Sequence, residues 1–220
     1  MRLRRTANIM ELIAKKENII LQKPELNKGK WKQIFKNDHP LYLEIGTGKG
    51  EFISESALKY KEINYLGIEK VPEIVFKAAQ RIAAEGTDNV LLLLADAAEL
   101  EYYFAVGEIE RIYLNFSDPW PKAKHSKRRL THPGYLEIYR KILKSGGTIQ
   151  LKTDDRRFFD YSRQNLIENG YKVHQTTYDL YETSIADNIA TEYEKKFKAE
   201  AKPICRLEAI KKDIRESELD

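Results

Sequence analysis

Short apolar runs alternate with amphipathic helical patterns along most of this chain, and no other feature restricts the fold as strongly. Such runs, bounded by turn-forming residues, are typical of buried strands. Repeated strand–helix units predict an α/β fold with a mostly parallel sheet and helices on both faces. The predicted strands are residues 41–45, 63–68, 89–95, 111–116, 148–152, 171–181 and 204–210.

Two predicted helices have clear ends. The helix over 72–85 begins with Pro and is followed by Gly86, and the helix over 133–144 is followed by Gly146 and Gly147. The spacing in the first helix places one set of apolar residues on a single face: Ile74, Val75, Ala78, Ala79, Ile82 and Ala83.

Two less regular helices complete the predicted elements. They are a helix over 31–35 and a polar helix over 187–198. Residues 1–30 form a basic arm, which we expect to pack, together with the first of these helices, across the edge of the first strand. The predicted sheet therefore has seven strands, and we expect the last one to be antiparallel.

Composition places the chain among soluble globular proteins. It has 220 residues, of which 42% are hydrophobic and 33% are charged, and these values predict one domain over 1–220. No apolar run approaches the roughly 20 residues that cross a bilayer. The single cysteine, Cys205, allows no internal disulfide and is predicted to be a core residue. These features predict a cytoplasmic protein without a membrane partner.

Charge is distributed unevenly along the chain. Residues 1–36 carry ten Lys/Arg and three Asp/Glu, and residues 122–129 carry five bases and no acid. An acidic tail follows at 213–220. Basic segments of this kind are either solvated faces or the binding surface for a polyanion, most simply nucleic acid.

A glycine-rich turn follows the first predicted strand at Gly46-Thr-Gly-Lys-Gly50. Such a turn is either structural or lets a ligand approach the backbone closely. It is not a P-loop, because Lys49 is not followed by Ser or Thr. It also departs from the dinucleotide motif, since Glu51 stands where the third glycine belongs.

Acidic residues lie in or after three successive strands: Glu44, Glu69 and Asp96. Each could be an ordinary solvated acid. Glu69 lies 23 residues after Gly46, near the spacing at which a carboxylate binds a ribose diol. Asp96 could accept a hydrogen bond from an adenine amino group. Together these residues predict a site for an adenosyl ligand with a cationic end and no phosphates, which describes S-adenosylmethionine.

The segment LEIGTGKG resembles the first motif of class I S-adenosylmethionine-dependent methyltransferases, and the segment over 143–147 resembles their later loop. The resemblance implies a Rossmann-like fold. It also implies that Glu44 binds the methionine amino group, Glu69 the ribose and Asp96 the adenine side. Gly46 and Gly48 complete the implied cofactor site.

The fourth predicted strand, over 111–116, ends in the segment NFSDPWPK, in which two prolines flank Trp120. This pattern predicts a rigid turn that presents Asp118 and Trp120, either as plain surface or as a site for a planar base. The segment resembles the signature of bacterial tRNA (guanine-N7)-methyltransferases. Lys152-Thr-Asp154 and Thr191-Glu-Tyr-Glu194 match further motifs of that family.

The family resemblance implies methyl transfer from S-adenosylmethionine to N7 of the variable-loop guanosine at tRNA position 46. Asp118 is implied as the catalytic residue, which also touches the cofactor. Implied substrate and RNA contacts are Lys122, Lys124, Lys127, Arg128, Arg129, Asp154, Thr191, Glu192, Tyr193 and Glu194. No metal and no obligate protein subunit are expected, and the chain is expected to be a monomer or a homodimer.

Two other classes of protein remain as alternatives. An NAD-dependent oxidoreductase shares the general fold but requires the dinucleotide motif. A non-catalytic RNA-binding module explains the basic segments but gives the strand-end acids no purpose. His125 and His132 lie in or near the basic run without metal-ligand spacing, so we expect them to be solvated or to contact phosphate.

Overall fold

The computed structural model describes residues 6–183 and 188–212. They divide into two compact units, one ending at Phe104 and the other beginning at Ala105. The described residues include eight strands, one more than predicted, because the basic arm contributes a short strand. The acidic tail at 213–220 and Asp187, the expected start of the late helix, lie outside the described residues.

The first unit has four parallel strands in the order β1-β4-β3-β2. All five residues from Asn64 to Ile68 in β3 are buried, so both faces of this central strand are covered. Its elements are α1 (Ile9–Ala14), β1 (Ile20–Leu21), a 3-10 turn (Pro24–Asn27), α2 (Trp31–Phe35), β2 (Leu41–Ile45), α3 (Glu51–Lys59), β3 (Asn64–Glu69), α4 (Pro72–Glu85), β4 (Val90–Leu94), a 3-10 turn (Ala97–Glu99) and α5 (Leu100–Tyr103).

The basic arm does not pack at the edge of the first predicted strand as expected. Its strand β1 pairs with β4, with Ile20 opposite Leu92. At this position Ile20 is completely buried, and β1 extends the sheet beyond β4. Burial of this apolar side chain favours the position beside β4. In α2, the buried Trp31 donates a hydrogen bond from its indole nitrogen to the carbonyl of Tyr103 at 3.1 Å.

Helix α4 has the predicted ends, and Gly86 follows it in the left-handed conformation. Its buried face is narrower than predicted. Val75, Ala78, Ala79 and Ile82 are buried, whereas Ile74 is half-buried and Ala83 is exposed. One position of difference in helical spacing rotates a side chain by about 100°, which is enough to take Ala83 off the packed face.

The second unit has the strand order β5-β6-β8-β7. Strands β5 and β6 are parallel, while β8 is antiparallel to both of its neighbours, which confirms the predicted orientation of the last strand. The elements are β5 (Ile109–Asn115), a 3-10 turn (Ala123–Arg128), α6 (Pro133–Ile142), β6 (Leu143–Thr153), α7 (Arg156–Glu168), β7 (Tyr171–Thr177), α8 (Glu192–Ala199) and β8 (Cys205–Lys211).

Three predicted boundaries in this unit are wrong. Helix α6 ends at Ile142, and the glycines expected to follow it lie within β6. They occupy an irregularity between the pairs Ile109↔Leu143 and Arg111↔Thr148, where more residues of β6 than of β5 are accommodated. Strand β7 ends at Thr177 after a second irregularity, where Gln175 has a positive φ of 49°. Helix α8 begins at Glu192 because Thr191 caps it.

Candidate active site

The glycine turn after β2 is tied to the end of β3. The amides of Gly46 and Thr47 donate hydrogen bonds to the carbonyl of Ile68 at 2.9 and 3.0 Å. Gly46 and Gly48 both have positive φ, and a Cβ atom added at either would meet nothing within 4 Å. The turn therefore presents bare backbone to open space on one side, as a ligand-binding turn requires.

Glu44 lies beneath this turn near the end of β2. Its side chain is 3% exposed, and it accepts a hydrogen bond from the hydroxyl of Thr47 at 2.6 Å. A buried carboxylate keeps its charge only when polar partners surround it. The hydrogen bond from Thr47 holds one of the two carboxylate oxygens of Glu44 and so orients the other.

Glu69 ends β3 and accepts a hydrogen bond from the amide of Val71 at 3.0 Å. Burial raises the pKa of this carboxyl, while hydrogen bonds from the amides of Val71, Lys70 and Gly48 oppose the rise. The hydrogen bond from Gly48 places the Glu69 carboxylate at the glycine turn.

Asp96 follows β4 and is half-buried. One of its carboxylate oxygens accepts a hydrogen bond from the amide of Ala98 at 2.9 Å and so caps the following 3-10 turn. The local contact orients the side chain and leaves acceptor capacity on the carboxylate.

The turn after β5 is strained at both ends. Phe116 and Trp120 have φ values of 51° and 42°, a region that aromatic residues rarely adopt. Asp118 lies between them and is exposed. The buried Oγ of Ser117 has no hydrogen-bond partner within the part of the chain that the structure describes. Strain of this kind occurs where the surrounding structure enforces a particular shape, often at functional sites.

The basic segment forms a 3-10 turn directly after this strained turn. Arg128 lies 4.9 Å from the centre of the Trp120 ring, and His125 contacts the same ring edge-on. Arg129 differs from the other bases because it is half-buried and bonded to the strained turn. The exposed cations of the segment are Lys122, Lys124, Lys127 and Arg128.

The late motif residues have different environments. Glu192 and Tyr193 are exposed, whereas Thr191 is 6% exposed and its hydroxyl caps α8 by accepting from the amide of Glu194. The Glu194 side chain is completely buried and forms an ion pair with Lys152 at 2.8 Å. The side chain of Glu194, for which the family resemblance implied a substrate contact, is thus enclosed by protein in this structure.

Lys152 begins the motif Lys152-Thr-Asp154, but its sequence context predicts no role for it. Its ammonium group is 1% exposed and also donates to the Asn188 side chain and the carbonyl of Ile189. Asp154, two residues further on, forms an ion pair with Lys202. The sequence indicates the buried pair of Lys152 and Glu194 only weakly, through a lysine in an apolar strand and an acid on a later helix.

Three aromatic rings lie together beside the strained turn. Phe116 stacks on Tyr193 with a centroid distance of 5.9 Å, and Phe197 contacts both rings. Tyr193 is 57% exposed, so part of this surface is open to solvent. Sequence reasoning missed Phe116 and Phe197, although the i, i+4 spacing of Tyr193 and Phe197 on α8 was visible.

Residues outside this site have structural roles. His132 caps α6 by accepting from the amide of Gly134, and Cys205 is buried as predicted, with a pKa that burial raises to about 11. Over residues 6–183 and 188–212, no cluster of three or more His, Cys, Asp or Glu could hold a metal ion. Within those same ranges, no helix combines the length and apolar character needed to cross a membrane.

Known proteins resemble this chain over most of its length. A family model described as "putative methyltransferase" matches residues 38–207. The tRNA (guanine-N(7)-)-methyltransferase of Geobacillus kaustophilus is 43% identical over 99% of this chain and 100% of that protein. The corresponding enzyme of Streptococcus mutans is 43% identical over 95% of this chain and 99% of its own length.

Solved structures with low sequence identity share the fold. The 16S rRNA methyltransferase KamB has a TM-score of 0.62 at 13% identity, covering 84% of this chain and 94% of its own. The antibiotic-resistance methyltransferase Kmr has a TM-score of 0.57 at 18% identity, covering 82% and 91%.

The strand arrangement is the Rossmann-like fold of class I methyltransferases, and the family model that matches residues 38–207 makes the chain a methyltransferase. Within that class, the chain belongs to the tRNA (guanine-N7-)-methyltransferase family.

Proposed function

We propose that this protein transfers the methyl group of S-adenosylmethionine to N7 of the variable-loop guanosine at position 46 of tRNA, in the cytoplasm. The observation that carries the proposal is the exposed Asp118 on a strained turn, followed directly by exposed cations. Relatives that match nearly the whole chain are named tRNA (guanine-N(7)-)-methyltransferase.

The residues of the first unit suit the cofactor. Open space over Gly46 and Gly48 allows the ligand to approach the backbone, and the buried Glu44 suits a cationic amino group. Glu69 has a carboxylate that can accept hydrogen bonds from two vicinal hydroxyls, and Asp96 can accept one from an adenine amino group. When bound, S-adenosylmethionine supplies an electrophilic methyl group.

Guanine N7 carries a lone pair and no proton, so methylation there requires no general base. The product ring is cationic. Asp118 therefore stabilises the growing positive charge and orients the base, an electrostatic role. The unpartnered hydroxyl of Ser117 offers a further hydrogen bond next to Asp118.

Recognition of the RNA rests on charge and stacking. Lys122, Lys124, Lys127 and Arg128 are exposed and suit backbone phosphates, which fix the position of the tRNA without reading its sequence. The exposed ring of Tyr193, supported by Phe116, offers a stacking surface for a base displaced from the tRNA interior. Thr191 directly precedes α8, the helix that carries Tyr193, and Asp154 directly follows β6. We include both among the residues next to this surface.

The test is to incubate pure protein with unmodified tRNA and methyl-labelled S-adenosylmethionine, then to treat the RNA with borohydride and aniline, which cleave at N7-methylguanosine. Label with one cut in the variable loop is the expected result. Label without a cut would overturn the N7 assignment, and a cut elsewhere would overturn position 46. Bound tRNA without label would favour a non-catalytic RNA-binding protein.

A further inference from the structure

Arg129 is the last base of the segment expected to contact RNA, yet its guanidinium is directed at the protein's own backbone. Nε donates to the carbonyl of Pro119 at 3.0 Å and to that of Trp120 at 3.3 Å. Nη2 donates to the Trp120 carbonyl at 3.0 Å. Arg129 is half-buried, whereas its neighbours Lys127 and Arg128 are exposed.

The carbonyls that Arg129 binds belong to the turn that carries Asp118. Trp120, with its φ of 42°, is in a conformation that costs free energy unless its surroundings hold it. The peptide groups on either side of this strained residue are thus fixed by one planar cation. Asp118 directly precedes Pro119, so the position of its carboxylate follows from the shape of the turn.

The edge of the guanidinium donates these hydrogen bonds, and its face packs on a helix. Its central carbon lies 4.2 Å from the centre of the Tyr161 ring, which belongs to α7. Helix α7 is itself fixed at its start, where Asp155 accepts a hydrogen bond from the amide of Phe158 at 2.8 Å. Arg129 therefore connects the Asp118 turn to a rigid element.

We propose that Arg129 is a positioning residue for Asp118 and does not contact RNA phosphate. The inference rests on the proposed function. A planar guanidinium can donate to two adjacent carbonyls while it stacks on a ring. Lysine keeps the positive charge but lacks the planar fork, so it cannot replace arginine in this role.

Two variants separate the positioning role from a phosphate contact. Arg129→Lys keeps the charge and Arg129→Gln removes it. With a positioning role, both variants lower kcat at saturating tRNA by about tenfold to a hundredfold, because small displacements of catalytic groups are costly. Neither variant changes the slope of log tRNA affinity against log salt concentration. Arg129→Lys also covers the case in which Arg129→Gln does not fold.

Lys127→Gln is the contrast for the salt measurement. Loss of one phosphate contact reduces that slope by roughly one, and we expect this result for the exposed Lys127. Lys77→Gln on α4, distant in sequence and exposed, is the control for loss of a surface charge and should change neither quantity. A slope reduced by roughly one in Arg129→Gln, with kcat retained in Arg129→Lys, would overturn the inference.

Tryptophan fluorescence gives a readout that needs no activity. The chain has two tryptophans, so Trp31→Phe leaves Trp120 as the single reporter. In that background we expect Arg129→Lys to shift the emission of Trp120 and to increase its quenching by acrylamide, and unchanged fluorescence would contradict the inference. If the wild-type protein forms no N7-methylguanosine, the proposed function fails, while salt dependence and fluorescence still decide whether Arg129 holds the turn.

Discussion

Among single residues, Asp118 is the one on which the proposed chemistry depends most. It is exposed, and its turn is strained at Phe116 and Trp120. Guanine N7 carries no proton for the carboxylate to remove, so the proposed role of Asp118 is to stabilise positive charge on the base. Whether Asp118 acts through charge or as a base is a question that pH dependence can answer.

Replacing Asp118 by Asn keeps the size of the side chain and removes its charge. We expect Asp118→Asn to lower kcat by about a hundredfold throughout the neutral and alkaline pH range, the scale observed when one preorganised charge-stabilising group is removed. The measurement is the pH–rate profile of both proteins. An essential ionisation near neutrality that disappears in the variant would show proton abstraction instead.

Glu69, which we propose binds the cofactor, lowers the stability of the folded chain at neutral pH. Burial raises the pKa of its carboxyl. A carboxyl whose pKa is raised by folding favours the folded state below its unfolded pKa of about 4.3, and this contribution is lost as pH rises through the folded pKa. At neutral pH the charged Glu69 therefore reduces the free energy of unfolding.

We expect Glu69→Gln to have a higher free energy of unfolding than the wild type at pH 7, and no advantage below about pH 4. Urea denaturation at both pH values measures this. The variant should also bind S-adenosylmethionine about tenfold more weakly, because a charged acceptor for two hydroxyls is lost. Equal stability at pH 7 would contradict the assigned cost of burial.

At the scale of elements, glycines decide how the first helix of the cofactor site begins. Gly50 precedes α3 with a φ of 78°, and a Cβ there would lie 2.9 Å from the Cβ of Ala78 on α4. Close packing of two helices and a left-handed backbone thus coincide at one residue. Gly86 has a similar φ of 67° but open space around it.

This pair of glycines separates steric overlap from backbone strain. We expect Gly86→Ala to lower the free energy of unfolding by about 1 kcal/mol through strain alone. Gly50→Ala adds overlap with Ala78 and should cost about 1–3 kcal/mol more. Urea denaturation of the two variants gives the difference, and equal losses would show that the helices separate without cost.

The end of β6 and the start of α8 are joined by the buried ion pair of Lys152 and Glu194. Removing one partner of such a pair leaves an uncompensated charge, so Lys152→Met should cost about 3–5 kcal/mol. The double variant Lys152→Met/Glu194→Leu should recover most of that loss. Denaturation of both single variants and the double variant completes the cycle, and a double variant no more stable than Lys152→Met would contradict this view.

At the scale of the whole molecule, we expect the glycine turn to determine which adenosine-containing ligand stabilises the fold. Glu51 begins α3, at the place where a dinucleotide-binding protein has a glycine and a pyrophosphate. A ligand that binds only the folded state at 100 times its Kd adds about 2.7 kcal/mol to the free energy of unfolding. Binding therefore appears as a rise in Tm.

We expect S-adenosylmethionine to raise the Tm and NAD to leave it unchanged at equal concentration. Differential scanning calorimetry measures both, and S-adenosylhomocysteine is the matched ligand that lacks the transferable methyl group and the sulfonium charge. A rise with NAD alone would favour the oxidoreductase alternative.

Local patterns in the sequence were sufficient to predict most elements and to select the residues that we propose for the cofactor site. Short-range spacing gives α4 its ends at Pro72 and Glu85, and strand ends are where parallel sheets collect their ligand-binding side chains. Glu69 and Gly48, 21 residues apart, could therefore be assigned to one site before their contact was known. The NFSDPWPK motif likewise predicted a rigid turn.

Tertiary structure alone decided which charged side chains face solvent and which face the protein. Arg129 and Lys127 belong to the same basic run, yet Arg129 turns inward, where it contacts the carbonyls of Pro119 and Trp120 and the ring of Tyr161. Lys152 and Glu194 are 42 residues apart, and each supplies the opposite charge for the other where both are buried. The sequence determines the charges and the local geometry. A charge can be buried only where a partner offsets its desolvation, and residues distant along the chain supply that partner.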